Sequence, residues 1–138
     1  MSMHIFYTGS VRGGRERHIR IIDALKKYGT VTYPSAYFDT LSGHGETELP
    51  RHTIAERERD ALAKSDIVVA EISTPSLGVG YLVAYATSLG KKVVALYQGE
   101  DTFKLSAMIK GDTKIGVHTY RTEEDIEKIL TETLTPQK

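Results

Sequence analysis

A short run of glycines, arginines and one serine near the start of the chain has the residue types of an anion-binding loop. The run Gly9-Ser10-Val11-Arg12-Gly13-Gly14-Arg15, here called the glycine-arginine loop, follows the apolar stretch Ile5-Phe6-Tyr7. Its glycines permit a tight turn and a close approach of the backbone to a ligand. Arg12 and Arg15 can add charge-assisted hydrogen bonds. The spacing matches neither a dinucleotide fingerprint nor a Walker loop, so it favours a single phosphate over a nicotinamide cofactor or a nucleoside triphosphate.

The residues after the loop have helical spacing and strengthen this prediction. The segment from Arg15 to Tyr28 carries apolar residues on one broad face, namely Ile19, Ile21, Ile22 and Leu25. A helix that begins here directs its free N–H groups and the positive end of its dipole at the loop. An ordinary strand-to-helix turn with solvent-facing arginines is the alternative interpretation.

Length and composition indicate one globular unit. We expect a single domain over residues 1–138, because this length allows one real core. Lysine plus arginine balance aspartate plus glutamate at 18 each, so no global charge attracts a nucleic-acid polymer or an anionic membrane. The chain has no cysteine, which excludes disulfides and cysteine–zinc sites. No apolar stretch approaches the ~18 residues of a membrane span, and we expect a cytoplasmic protein.

Strand and helix patterns alternate along the chain. The predicted strands are Ile5–Tyr7, Thr30–Tyr33, Ile67–Ile72, Lys92–Tyr97 and Val117–Tyr120. The predicted helices cover residues 15–28, 52–65 and 81–89, and a last one starts at Thr122. This alternation predicts the α/β class with a doubly wound, mostly parallel five-stranded sheet.

Turns at the carboxyl ends of such strands are where ligands bind. A second glycine-rich turn, from Ser73 to Tyr81, follows a predicted strand, so we expect it to face the same crevice as the glycine-arginine loop. Gly29 has the position of a left-handed cap for the first helix. Residues 35–51 show no periodicity, and the sequence leaves open whether they form a lid or a surface excursion.

Three segments of the chain resemble a known family. They are the glycine-arginine loop, Pro75-Ser76-Leu77-Gly78-Val79-Gly80-Tyr81 and Ser106-Ala107-Met108-Ile109-Lys110-Gly111. They look like the 2'-deoxynucleoside 5'-monophosphate N-glycosidases (Rcl-type hydrolases), which are relatives of the nucleoside 2-deoxyribosyltransferases. The resemblance implies a flavodoxin-like fold, a homodimer with sites completed across its interface, and cleavage of the base–sugar bond of a nucleoside monophosphate.

The resemblance also implies which residues bind the substrate. It assigns the 5'-phosphate to Gly9, Ser10, Val11, Arg12, Gly13, Gly14, Arg15, Ser76 and Gly78. Ser106 and Met108 match residues that reach the phosphate region from the partner subunit. Phe6 matches a tyrosine that contacts the sugar region, and in this respect it resembles the cytidylate-hydrolysing branch. A family histidine aligns roughly with Ser35.

The residues expected to carry the chemistry depart from the family pattern. Cleavage of an N-glycoside develops positive charge on the sugar, which a carboxylate at the anomeric carbon can stabilise or attack. The family has its main carboxylate at the position of Leu82. A helper aspartate of the family aligns with Glu58, and Asp60 lies nearby, so these two are the candidate catalytic residues. Leu82 would otherwise line the substrate site.

Three explanations for Leu82 remain open. In the first, Glu58 or Asp60 has taken over the role of the missing glutamate. In the second, the protein binds a nucleotide without cleaving it. In the third, the leucine is peculiar to this sequence. A base-exchanging transferase is disfavoured, because a free nucleoside has no phosphate for the arginine loop. Leu82 could also be a core residue of an amphipathic helix.

Other titratable residues suggest no cofactor. The five histidines, His4, His18, His44, His52 and His118, lack metal-ligand spacing, and we expect them to be surface or satisfied core residues. No feature points to a metal or an organic cofactor. Glu71 lies within an apolar strand and is either paired structurally or close to the crevice, with the structural role favoured.

Overall fold

The structure is a computed structural model that describes residues 3–33 and 49–135, with the backbone alone for Phe103. Ser35, most of the expected 35–51 loop and the last three residues lie outside the described residues.

Strands and helices alternate through the described chain. Their order is β1 (Met3–Gly9), α1 (Arg15–Leu25), β2 (Gly29–Thr32), α2 (Arg51–Ala63), β3 (Ile67–Glu71), α3 (Leu77–Ser88), β4 (Lys92–Gln98), α4 (Ala107–Lys110), β5 (Ile115–Tyr120) and α5 (Glu123–Leu134), with a short 3₁₀ turn at Thr102–Lys104. The strands form one five-stranded sheet in the order β2-β1-β3-β4-β5. Each neighbouring pair is parallel. The α/β prediction of a five-stranded doubly wound sheet is confirmed.

Helices cover both faces of the sheet, which explains why its central strands are apolar throughout. Helices α1 and α5 pack on one face, where the buried side chains include Ile5, Tyr7, Ile21, Leu25, Val69, Leu96 and Leu130. Helices α2 and α3 pack on the other face over Phe6, Leu62, Val68, Ala70, Val83, Ala86 and Val93. Successive residues of β1 and β3 therefore enter different cores.

The sheet has its topological switch point between β1 and β3. The chain passes from β1 outward to β2 and then returns to β3 on the other side of β1. The connections after β1 and after β3 lie on opposite faces, so a crevice opens where the carboxyl ends of these two strands meet. Gly9 is paired with Glu71 at this edge.

Two local predictions are wrong. Helix α3 begins at Leu77 rather than at Tyr81, because the hydroxyl of Ser76 accepts a hydrogen bond from the backbone N–H of Val79 and caps the helix. Gly29 does not adopt a left-handed cap conformation, since only Gly14, Gly90 and Gly99 have positive φ among the described glycines. Gly29 begins β2 instead, where a Cβ would collide with the backbone of Met3.

Within the described residues, no helix is both long enough and apolar enough to cross a membrane.

Candidate active site

Ser10 organises the glycine-arginine loop from within. Its carbonyl oxygen accepts a hydrogen bond from the N–H of Gly13 at 2.9 Å. Its hydroxyl oxygen accepts one from the N–H of Arg12 at 3.1 Å. The side chain of Ser10 is buried. These bonds close a tight turn between β1 and α1.

Helix α1 begins directly at this turn. Gly14, with φ of 97°, is its N-cap, and as a glycine it has no side chain to cap the helix. Backbone N–H groups of a first helical turn have no partner within the helix, so an anion can satisfy them. Arg12 and Arg15 are exposed beside them. The loop therefore combines exposed cationic side chains with a helix N-terminus that lacks a side-chain cap.

His18 lies beneath the loop and is 1% exposed. Its Nε2 is 2.7 Å from the carbonyl oxygen of Ser10, and its Nδ1 is 2.6 Å from the hydroxyl of Tyr7. Burial lowers the pKa of His18 from its ordinary value, although the Ser10 carbonyl and Glu71 oppose this effect. The expectation of surface or satisfied core histidines included this residue, but the sequence interpretation gave it no role in the loop.

The start of α3 forms the second side of the crevice. A Cβ placed on Gly13 would lie 3.6 Å from the hydroxyl of Thr74, so the glycine-arginine loop is adjacent to the β3–α3 connection. Ser76 caps α3 at this connection. Among the described residues, a Cβ on Gly80 would meet no atom within 4 Å, and one on Gly78 would approach only the hydroxyl of Ser76, at 3.9 Å. The part of the chain that the structure describes thus leaves open space above the first turn of α3.

The structure places the candidate chemical residues in different environments. Glu58 on α2 has a side chain that is 16% exposed, and its carboxylate is 2.9 Å from the guanidinium of Arg57. Asp60 is exposed on the same helix. Leu82 is partly buried against the core that contains Phe6, and Phe6 itself is fully buried. The catalytic roles of Glu58 and Asp60 and the substrate roles of Phe6 and Leu82 stay predictions.

A buried polar cluster at the carboxyl edge was only partly expected. Glu71, 2% exposed, accepts hydrogen bonds from the N–H of Ser73 at 2.6 Å and from the hydroxyl of Tyr120. The guanidinium of Arg17 lies 3.7 Å from the same carboxylate and also donates to Gln98. Burial and the hydrogen bond to Glu71 raise the pKa of Tyr120. Glu71 is therefore paired structurally, as the sequence favoured.

Ser106 and Met108 are exposed at the surface of the protein. The hydroxyl of Ser106 accepts a hydrogen bond from the N–H of Met108 at 3.2 Å and caps the short helix α4. The side chain of Met108 is 80% exposed. Their expected contribution to the site of a second subunit stays a prediction.

Across residues 3–33 and 49–135, no group of three histidine, aspartate or glutamate side chains is arranged to hold a metal ion.

Comparisons with known proteins agree with this architecture. The family model of the nucleoside 2-deoxyribosyltransferases matches residues 11–128. The chain is 38% identical to the 5-hydroxymethyl-dUMP N-hydrolase of Esox lucius, over 94% of each protein. It is 36% identical to the protein of the same name from Homo sapiens, over 91% of this chain and 76% of that one.

Solved structures show the same fold at low sequence identity. The CMP N-glycosidase of Clostridium botulinum superposes with a TM-score of 0.62 at 19% identity, covering 95% of this chain and 98% of that one. A 2-deoxyribosyltransferase of Bacillus psychrosaccharolyticus gives 0.62 at 18% identity, covering 89% and 90%. Because the family model matches most of the chain and the chain is 38% identical to a hydrolase over 94% of its length, we conclude that the chain belongs to the nucleoside 2-deoxyribosyltransferase family.

Proposed function

We propose that this protein hydrolyses the N-glycosidic bond of a nucleoside 5'-monophosphate and releases the free base and the sugar 5-phosphate, with ribose or deoxyribose as the sugar. The observation that carries the proposal is the glycine-arginine loop, which lies at the N-terminus of α1 on the carboxyl edge of the sheet. The names of two relatives support it, because they are N-hydrolases of a nucleoside monophosphate.

The 5'-phosphate is bound by the loop and by the start of α3. The N–H groups of the first turn of α1 and the guanidinium groups of Arg12 and Arg15 supply donors and positive charge. The hydroxyl oxygen of Ser76 accepts the capping hydrogen bond from the N–H of Val79, and its O–H donates to a phosphate oxygen. The space above Gly78 and Gly80 admits the sugar.

Cleavage requires a carboxylate near the anomeric carbon. As the bond to the base breaks, its electron pair leaves with the base and positive charge develops on the sugar. A water molecule then supplies hydroxide to the anomeric carbon, and its remaining proton ends on the base. Glu58 is the first candidate for the supporting carboxylate, and Asp60 is the second. The carboxylate of Glu58 is 2.9 Å from the guanidinium of Arg57 on the same helix.

The alternative function is nucleotide binding without cleavage. Its support is Leu82, which packs on the core at the position where the family pattern has its main carboxylate. Loss of a carboxylate that forms a covalent intermediate lowers the rate by several orders of magnitude. An increase of ~4 kcal/mol in the activation free energy already slows a reaction roughly a thousandfold.

A homodimer completes the proposed site. Leu77 and Met108 expose 96% and 80% of their surfaces, and Tyr81, one turn after Leu77, exposes 55%. Apolar side chains this exposed beside a substrate crevice suit an interface between two copies. In that dimer, Ser106 and Met108 of the partner subunit reach the phosphate. The proposal retains the expected cytoplasmic location, where free nucleotides are metabolised.

A chromatographic assay for free base tests the proposal. The protein is incubated with the common ribo- and deoxynucleoside 5'-monophosphates and with 5-hydroxymethyl-dUMP, and the matching nucleosides serve as controls. Release from a monophosphate and not from its nucleoside supports the glycosidase and the role of the phosphate. Binding without release supports the alternative, and Leu82→Glu should then restore cleavage if the site geometry is kept. The absence of both binding and release would refute both functions.

Arg12→Ala tests the phosphate loop itself. Removing one charged donor should weaken monophosphate binding about tenfold or more, because a hydrogen bond to a charged group contributes ~1.5–3 kcal/mol. Arg20→Ala removes another exposed arginine, which lies on α1 and pairs with Glu123 at 3.4 Å, and it serves as the matched control. Equal affinity of the two variants for the monophosphate would place the phosphate elsewhere.

A further inference from the structure

The buried imidazole of His18 has no part in the binding or the chemistry proposed above, yet it contacts the glycine-arginine loop directly. We propose that His18 is a positioning residue that holds the carbonyl of Ser10 inward and thereby keeps the loop shaped for a phosphate. The inference rests on the proposed function only for the identity of the anion.

The hydrogen-bond partners of His18 define its tautomer. A carbonyl oxygen can only accept, so the Nε2 atom at 2.7 Å from the Ser10 carbonyl must carry the proton. In the neutral ring Nδ1 is then an acceptor, and the hydroxyl of Tyr7 donates to it at 2.6 Å. Tyr7 thus selects the tautomer that holds Ser10. Tyr7 belongs to β1, so the loop is tied through His18 to the central sheet.

The glycines of the loop leave room for this ring. A Cβ on Gly9 would collide with Cε1 of His18. A Cβ on Gly13 would lie 3.4 Å from Nε2 and 3.1 Å from the Ser10 carbonyl oxygen. Part of the glycine content of the loop is therefore explained by the imidazole beneath it.

The orientation of one carbonyl matters for an anion site. The Ser10 oxygen accepts from the N–H of Gly13 as well as from His18, so two donors hold it on the inner side of the turn. A carbonyl that turned toward a bound phosphate would repel it, because the negative end of its dipole would face the anion. Without His18, the oxygen keeps one donor and the turn has more freedom to open.

Burial lowers the pKa of His18, which agrees with a neutral ring at neutral pH. The charged groups that act on the ring are Glu71 at the end of β3, which raises this pKa, and Arg17 on α1, which lowers it.

Nitrogen NMR of the wild-type ring tests the tautomer without any ligand or substitution. We expect the signal of a protonated nitrogen at Nε2 and the signal of a bare nitrogen at Nδ1. The reverse assignment would overturn the proposal, because a bare Nε2 cannot donate to a carbonyl.

Two substitutions then separate the hydrogen bond from the volume of the ring. His18→Leu removes the donor at similar size, and His18→Gln keeps an N–H donor that can reach Ser10. In the ligand-free protein, the Gly13 amide should exchange with solvent about tenfold faster in His18→Leu than in His18→Gln or in the wild type. His4→Leu, an exposed histidine near the other end of β1, is the control. Equal exchange at Gly13 in all four proteins would refute the positioning role.

Binding of the same monophosphate completes the test. We expect His18→Leu to bind about tenfold more weakly than the wild type and His18→Gln to recover most of the affinity. Equal losses in the two variants would mean that the ring contributes packing only. If the wild type binds no monophosphate, the proposed function fails, while the tautomer and exchange results still decide whether His18 holds the loop.

Discussion

At the scale of single residues, the carboxylate of Glu71 joins parts of the chain that are distant in sequence. It accepts from the hydroxyl of Tyr120 on β5 and lies near Arg17 on α1. We expect Tyr120→Phe to lower the free energy of unfolding by about 1–3 kcal/mol, because a buried carboxylate then loses a donor. Chemical denaturation with a fluorescence or circular-dichroism readout measures the change.

Tyr28→Phe is the matched control for this prediction. The Tyr28 hydroxyl bonds to Thr131 at 3.0 Å in an exposed setting. Water can replace that partner, so the loss should stay within about 0.5 kcal/mol. If both variants lost the same stability, the buried carboxylate would not depend on Tyr120.

Burial of histidines predicts how stability responds to acid. Burial lowers the pKa of both His18 and His118 below their ordinary value of 6.5. Between each lowered pKa and 6.5, the unfolded chain binds a proton that the folded protein does not. The free energy of unfolding is therefore fully retained above about pH 6.5 and falls as the pH drops below it.

His18→Gln isolates the contribution of His18 to this pH dependence of stability. As the pH is lowered from about 8 to about 5, the denaturation midpoint should fall less steeply in this variant than in the wild type. The difference in proton binding between the unfolded and folded states is then gone for His18 and remains for His118. Parallel curves for the variant and the wild type would show that His18 does not titrate with a lowered pKa.

The burial of His18 was predictable from its spacing. His18, Ile21, Ile22 and Leu25 follow the i, i+3, i+4, i+7 pattern, and all four are buried. The sequence interpretation began the apolar face at Ile19 instead, because a histidine does not count as hydrophobic. The contact of His18 with Ser10 depends on the conformation of the turn between β1 and α1, which the periodicity of apolar residues does not encode.

At the scale of elements, the capping of α5 offers a clean test. The hydroxyl of Thr122 accepts from the N–H of Asp125, and the carboxylate of Asp125 accepts in return from the N–H of Thr122. The sequence predicted that this helix starts at Thr122. Thr122→Ala should lower the free energy of unfolding by about 1 kcal/mol, as for other N-caps.

Thr87→Ala makes the same chemical change without removing a cap. The hydroxyl of Thr87 donates to the carbonyl of Ala84 within α3, where it satisfies no free helix end. We expect its effect to stay within about 0.5 kcal/mol in the same denaturation measurement. An equal loss in the two variants would remove the cap as the explanation.

Most elements were predictable because period and burial agree in them. The apolar run at Ile67–Glu71 is a central strand, and the alternation of strands and helices gave the doubly wound sheet. The start of α3 was missed because Gly78 and Gly80 are poor helix formers. The capping bond of Ser76 overrides that preference, and the sequence signal for it is a serine three residues before Val79.

At the scale of the whole molecule, the proposed dimer would cover exposed apolar residues of α3. Leu77 and Tyr81 are four residues apart on α3 and therefore share a helix face. This face begins beside the capping residue Ser76 of the proposed phosphate site. Covering it with a second copy would bury apolar surface and exclude water from the site at once. The proposed dimer thus links stability of the assembly to catalysis.

Leu77→Glu should therefore shift the protein from dimer to monomer in analytical ultracentrifugation, because a carboxylate in an apolar interface loses its water. Leu89→Glu is the matched control, since Leu89 is also exposed but lies at the other end of α3. We expect Leu89→Glu to remain dimeric and to bind the monophosphate normally, and Leu77→Glu to bind it more weakly at low protein concentration. A wild type that stays monomeric at all concentrations would contradict the shared site and leave Ser106 and Met108 without a role in binding.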